Sequence, residues 1–406
     1  SNIARQWYDV DKVDVIVDVP TSSVVLAVNE ITKQKGKALI VSTGATSDLT
    51  GKACNANAIH WTYDTWMLAN GTGSAIVKTG GDSWFFLTAD YAFGHALERD
   101  TEAVVLKNGG KVTGKVRHPF PTADFSSFLL QAQSSKAKVI GLANAGADTI
   151  NAIKQGAEFG VVKGGQQFAG LLVFLTDVHA LGLNTSQGLL LTESFYWDLN
   201  DQTRAFAKRF GALHKGAMPT MAHAGVYASV LHYLKAVEAA KTDDGTKVIA
   251  KMKELPTDDP AFGKGSIRAD GRKIHPVYLF EVKKPSESKG PWDYYKLLAQ
   301  LPPGRQPPGL LRLQRGRQAF ASLSRYREED RHQDQGMPAC AEGRADQALP
   351  LSPVRRGRSL LRRGRHSRCA RCGHRLDPGV GLCALHWRRV LVHGPQGRDQ
   401  EVRGRV

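Results

Sequence analysis

The sequence predicts an α/β protein built on two sheets. Short apolar runs such as Ala38-Leu-Ile-Val41 and Val139-Ile-Gly-Leu142 lack polar alternation and read as strands buried on both faces. Between residues 10 and 195 such runs alternate with stretches of helical period, the pattern of βαβ units. After Tyr196 helices follow one another and strands then return, which calls for a second sheet.

The opening Ser1-Asn-Ile-Ala-Arg-Gln-Trp7 reads as part of a helix with no signal-peptide pattern, as expected of a fragment or mature form. Strands are predicted over 13–19, 38–42, 84–88, 111–116, 137–142, 170–175 and 188–192. Helices are predicted over 22–32, 65–78, 95–106, 125–133 and 148–159. Beyond them, helices over 204–214, 221–240 and 246–253 precede strands over 264–268 and 277–282 and a final apolar stretch from Trp292.

The chain carries a net charge of +17, unevenly spread. Residues 1–300 hold 26 Lys and 7 Arg against 29 acids, whereas residues 301–406 hold 22 Arg, no Lys and 9 acids. The basic character therefore belongs to an Arg/Pro/Gly-rich tail, which is expected to be disordered. Exclusive use of Arg there has no folding rationale and matches a GC-rich gene read in the wrong frame. On that reading the chain is a truncated, frame-shifted gene copy. Cys369, Cys372, Cys383 and His386 have zinc-like spacing but no flanking strand or helix pattern, and are read as chance. The rival reading is a nucleic-acid-associated protein that uses the tail.

No apolar run is long enough to span a bilayer. The body lacks a nucleophile elbow, a Walker loop and an H-E-x-x-H pair, so no enzyme is predicted. Gly71-Thr-Gly73 is read as a turn. What remains is a set of polar strand ends. In parallel sheets, ligands settle beyond the carboxyl ends of strands. The first strand ends in Pro20-Thr-Ser-Ser23 and the second in Ser42-Thr-Gly-Ala-Thr46. Helix capping explains the former; it explains the latter less well, since no helical pattern resumes until about Thr65. Later strands end in Asp90-Tyr-Ala-Phe-Gly94, Asn144-Ala-Gly-Ala-Asp148 and Thr176-Asp177.

At these residues the body resembles the substrate-binding proteins of ABC transporters, in the branched-chain amino-acid-binding (type I periplasmic binding protein) family. Ser42-Thr-Gly-Ala-Thr-Ser47, His60-Trp-Thr62, Asp90-Tyr-Ala-Phe-Gly94 and Glu158-Phe-Gly160 carry the likeness, over roughly residues 1–300. The resemblance implies a two-lobed fold: residues 1–80 with 195–275, and 81–194 with 276–300. It implies hinges near 79–81, 192–197 and 274–277, and lobe closure on a small-molecule ligand such as an amino acid, amide or aromatic carboxylate. It further implies a periplasmic monomer that delivers to an ABC permease, with no cofactor, metal or nucleic acid.

Carried over by residue, Thr21 (with Ser22 beside it) and Thr46 would meet a ligand carboxylate, and the Gly44 or Ala45 backbone would join them. Phe93 occupies the place of a covering tyrosine, which Tyr91 could replace. Asp177 lies near the usual acid for a ligand ammonium, and Tyr63, Asn144 and Phe195-Tyr-Trp197 are further pocket candidates. Two departures stand out: the family's first strand–helix–strand is expected to be absent from lobe 1, and Cys54 is expected to lack a disulfide partner.

Overall fold

The computed structural model describes residues 1–301 and three short strands beyond them, Cys383–Leu385, Leu391–His393 and Asp399–Glu401. The readings made of the tail and of its Cys/His set otherwise lie outside the described residues.

Two main sheets form among the described residues, with a small three-stranded sheet and a two-stranded pair besides. In the first, β1 (Val15–Val17), β2 (Ala38–Val41) and β3 (Ala58–His60) run parallel in that order. Every residue of all three is buried, which is why they read as unbroken apolar runs. Helix α1 (Asn2–Asp9) packs on α2 (Ser22–Lys35), and the Tyr8 hydroxyl lies 2.8 Å from Thr32 Oγ1 and donates to Ala38 O. Helix α2 ends at Gly36, whose φ of 60° suits a residue without a Cβ. The free edge of β1 pairs antiparallel with Cys383–Leu385. The expected strand 13–19 is shorter because Asp18 turns to φ 57° and breaks the extended run.

Past β3 the chain forms α3 (Thr65–Leu68) and α4 (Ser74–Lys78), joined by a π-helical segment, Ala69–Gly73. Gly71-Thr-Gly73, expected to be a turn, is thus helical. Close packing explains its glycine: a Cβ on Gly71 would fall 2.3 Å from Thr192 Oγ1, and the Thr72 and Thr192 hydroxyls sit 2.8 Å apart.

The second sheet is built by β4 (Ser83–Ala89), α5 (Ala92–Lys107), β5 (Lys111–His118), α6 (Ser126–Ser134), β6 (Val139–Ala143), α7 (Ala147–Glu158), β7 (Gln167–Gly170), α8 (Leu175–Leu181), α9 (Leu183–Ser186) and β8 (Leu190–Glu193). The chain then makes α10 (Asp201–Leu213), α11 (Met221–Ala240), α12 (Gly245–Glu254) and the small sheet β9 (Thr257–Asp259), β10 (Gly263–Ile267) and β11 (Lys273–Ile274). It returns to add β12 (Val277–Val282) and β13 (Tyr295–Leu301), antiparallel, at one edge. The order is β13-β12-β8-β7-β6-β4-β5, with β4 to β8 parallel.

The strand expected over 170–175 stops at Gly170, and Leu171 to Phe174 leave the sheet as a loop, buried through Val173 and half-buried at Phe174. A fully apolar run shows burial without distinguishing strand from loop. Asp177 decides the matter by accepting the Phe174 N–H at 2.9 Å, which opens α8. The largest apolar core draws on both sheets, including Ile40, Tyr63, Phe86, Phe93 and Phe195. Separate cores back the outer face of each sheet.

Candidate functional site

The carboxyl ends of β1 and β2 present a backbone-rich edge. Thr21 is the N-cap residue of α2 but makes no side-chain capping bond, so its half-buried hydroxyl is uncommitted. Ser22 is fully buried, and its Oγ accepts the Thr46 N–H at 3.2 Å, tying the two strand ends together. Gly44 fits where a Cβ would meet Val19 O at 2.6 Å. Ala45 O accepts the Thr65 N–H at 2.8 Å. Thr46 Oγ1 accepts the Asp48 N–H and caps a short 3₁₀ turn, Ser47–Thr50. Capping therefore does account for part of the second strand end. A single 3₁₀ turn is too short to show a helical period.

Asp18, missed by the sequence reading, accepts a short hydrogen bond from the Thr43 hydroxyl. Its carboxyl pKa is raised, chiefly by burial. A non-glycine residue in the left-handed region at a strand end is a structural signal with no counterpart in the sequence pattern.

Tyr63 is the meeting point of the two sheets. Its buried hydroxyl donates to Thr43 O at 3.0 Å, and its ring lies edge-on to Phe174, with centroids 6.0 Å apart. Burial pushes its pKa well up, and the neighbouring Asp18, Tyr91, Glu193 and Asp177 add to that shift. Thr43 and Asp18 on one side, and Tyr91, Phe174, Asp177 and Glu193 on the other, thus all lie around Tyr63.

On that second side, Tyr91 stacks on Phe120 at 4.5 Å and burial pushes its pKa up to about 12. Phe93 is 3% exposed, behind Tyr91 at 5.8 Å. Asn144 is fully buried: its Nδ2 lies 3.2 Å from His118 Nε2 and its Oδ1 accepts the Thr149 hydroxyl at 2.7 Å. Asp177 spends one oxygen on Phe174, and burial pushes its pKa up to about 6. Glu193, also missed, accepts the Tyr295 hydroxyl at 2.9 Å, and burial pushes its pKa well up. The tail of the pocket set is packing: Phe195 and Tyr196 are buried in the two cores, and Trp197 donates to Trp292 O.

Below the site, Arg272 and Asp64 form a buried ion pair at 2.8 Å. Arg272 also donates to His60 O and Trp61 O, while Asp64 caps α3 through the Met67 N–H. Burial alone would raise the Asp64 carboxyl, but Arg272 holds it below its ordinary value. Burial, with Arg272 adding, pushes the His60 ring down to about 4. Cys54, expected to lack a partner, is disulfide-bonded. Among the described residues no group of His, Cys, Asp and Glu is arranged to hold a metal ion, and no helix is long and apolar enough to cross a membrane.

Residues 1–290 match the periplasmic binding protein family. A crystal structure of a periplasmic binding protein from Burkholderia mallei is 53% identical, with a TM-score of 0.73 over 74% of this chain and 80% of that one. A branched chain amino acid ABC transporter periplasmic ligand-binding protein from Burkholderia xenovorans is 40% identical, with a TM-score of 0.66 over the same shares. Leu/Ile/Val-binding protein homolog 6 of Brucella melitensis is 27% identical over 64% of this chain and 67% of its own length. Fold and family are those of non-enzymatic solute-binding components of ABC transporters. With its two mainly parallel sheets meeting at Tyr63, the chain belongs to the periplasmic binding protein family.

Proposed function

We propose that this chain is an extracytoplasmic receptor that grips one small carboxylate or amide between its two sheets and hands it to an ABC permease. The observation that carries the reading is the convergence at Tyr63 of strand ends from both sheets. The uncommitted Thr21 hydroxyl and the N-terminus of α2 suit a ligand carboxylate. The rings of Tyr91, Phe93, Phe120 and Phe174 suit an apolar or aromatic remainder. Asp18, Asp177 and Glu193 are the candidate partners of a ligand ammonium. A branched-chain amino acid and a small aromatic acid both meet these demands.

Two lobes closing about three crossovers would bury the ligand, because contacts from the second sheet complete the site only on closure. Thr72 packs on Thr192 of β8, and this supports moving the first crossover from residues 79–81 to 62–64. The family's periplasmic setting, a monomeric state and delivery to membrane permease subunits belong to the same proposal.

The test is thermal melting with L-leucine, L-valine, L-phenylalanine, benzoate, 4-hydroxybenzoate and isobutyramide. At least one is expected to raise the melting temperature by several degrees at millimolar concentration. No shift with any of them overturns the receptor reading.

A further inference from the structure

The turn that follows β2 is held by a helix of the other sheet. Asp100 on α5 accepts the Ser47 hydroxyl at 2.7 Å and the Thr65 hydroxyl at 2.6 Å, both on the same oxygen, Oδ2. Its other oxygen takes Arg99 Nε at 2.9 Å. Arg99 then reaches back, with Nη1 on Asp48 Oδ1 at 3.1 Å and Nη2 on Ser47 Oγ at 2.8 Å. The Asp100 side chain is 10% exposed and that of Arg99 is 48% exposed. Ser47 and Asp48 continue directly from Gly44-Ala45-Thr46, the strand end that the family resemblance places at a ligand's polar head. The Thr65 hydroxyl also receives the Ser47 N–H at 3.0 Å, so one carboxylate organises three groups around the turn.

We infer that Asp100 and Arg99 are positioning residues for ligand binding: they touch no ligand but fix the 44–48 turn against the second sheet. The inference rests on the receptor reading. A charged acceptor that binds two hydroxyls in a sheltered place contributes more than an exposed ion pair, so Asp100 carries the larger share. Affinity for a ligand held by that turn then depends on a helix that belongs to the opposite lobe.

The experiment compares Asp100→Asn, Arg99→Ala and Arg99→Lys in the full chain. Calorimetric titration uses benzoate, 4-hydroxybenzoate and L-leucine, with apo melting temperature as the control for folding. Asp100→Asn is expected to weaken binding by roughly ten- to hundredfold, while the apo melting temperature moves by no more than about 2 °C. Arg99→Ala is expected to weaken it by roughly three- to tenfold, to be partly rescued by Arg99→Lys, and to lose its effect in half-molar salt, where the Asp100 effect persists. Wild-type affinity in Asp100→Asn overturns the inference, as does an affinity loss matched by an equal loss of apo stability. Failure of the wild type to bind any of the three overturns the receptor reading instead.

Discussion

The two sides that meet at Tyr63 are built on different principles. The first side is a bonded strand end: the Thr46 N–H goes to Ser22 Oγ, Ala45 O takes the Thr65 N–H, Thr46 is fully buried, and Thr21 keeps the uncommitted hydroxyl. The second offers rings, with Tyr91 stacked on Phe120 and Phe174 edge-on to Tyr63. A directional grip needs fixed donors, so the first side is packed to the point where Gly44 tolerates no Cβ. An apolar wall works through area and tolerates repacking. On the receptor reading, selectivity for a polar head and for a tail would reside in separable parts of the chain.

The comparison breaks most severely at its foundation. Replacing Arg272 with Ala leaves Asp64 charged and buried, and is expected to cost about 3–5 kcal/mol in urea unfolding. The first side would loosen while the second keeps its stacking. Next in size is a pH effect on the second side. Burial raises Asp177 from an ordinary 3.8 to about 6, so the folded state holds this proton more tightly than the unfolded state. Stability from this residue is therefore greatest below about pH 4 and falls as pH rises to about 6, by about 3 kcal/mol. Asp177→Asn keeps an acceptor for the Phe174 N–H and is expected to remove that decline, read as the difference between the two proteins' unfolding free energies at pH 4 and 7.

Smaller effects sharpen the contrast. Thr21→Val is expected to leave stability within about 0.5 kcal/mol, since its hydroxyl caps nothing, yet to weaken carboxylate binding by about tenfold. Equal loss for a carboxylate and its amide would move the head away from Thr21. Phe120→Ala removes an exposed ring stacked on Tyr91 and is expected to cost about 0.5–1.5 kcal/mol, read as weaker binding of ligands with large tails only.

Much of this was legible in the residues. Buried parallel strands announce themselves as apolar runs, and long helices such as Met221–Ala240 by their period. The place of Thr21, Gly44, Ala45 and Thr46 at a strand end is legible because a polar stretch ends an apolar one at a sheet's carboxyl edge. What escaped depends on three-dimensional closure. The Asp64–Arg272 pair spans two distant segments, and neither residue sits in a local pattern. Asp18 looked like part of a strand, because its left-handed backbone is imposed by the Asp18 N–H to Ile40 O bond and the Thr43 hydroxyl. Glu193 ended a strand without distinction until Tyr295, some hundred residues on, reached its oxygen. Leu171 to Phe174 reads as strand because its composition reports burial and nothing more.

The return of the chain to lay β12 and β13 beside β8 also has a consequence for assembly during synthesis. The second sheet is five-sevenths complete when Glu193 emerges, but its last two strands wait for residues 277–301. Between them the chain must make α10, α11, α12 and the small β9–β11 sheet. Pairings of such long sequence separation form late and slowly. Until they form, the β8 edge is an unpaired strand, open to association with other nascent chains. A stall or cleavage near residue 275 would leave that edge permanently open.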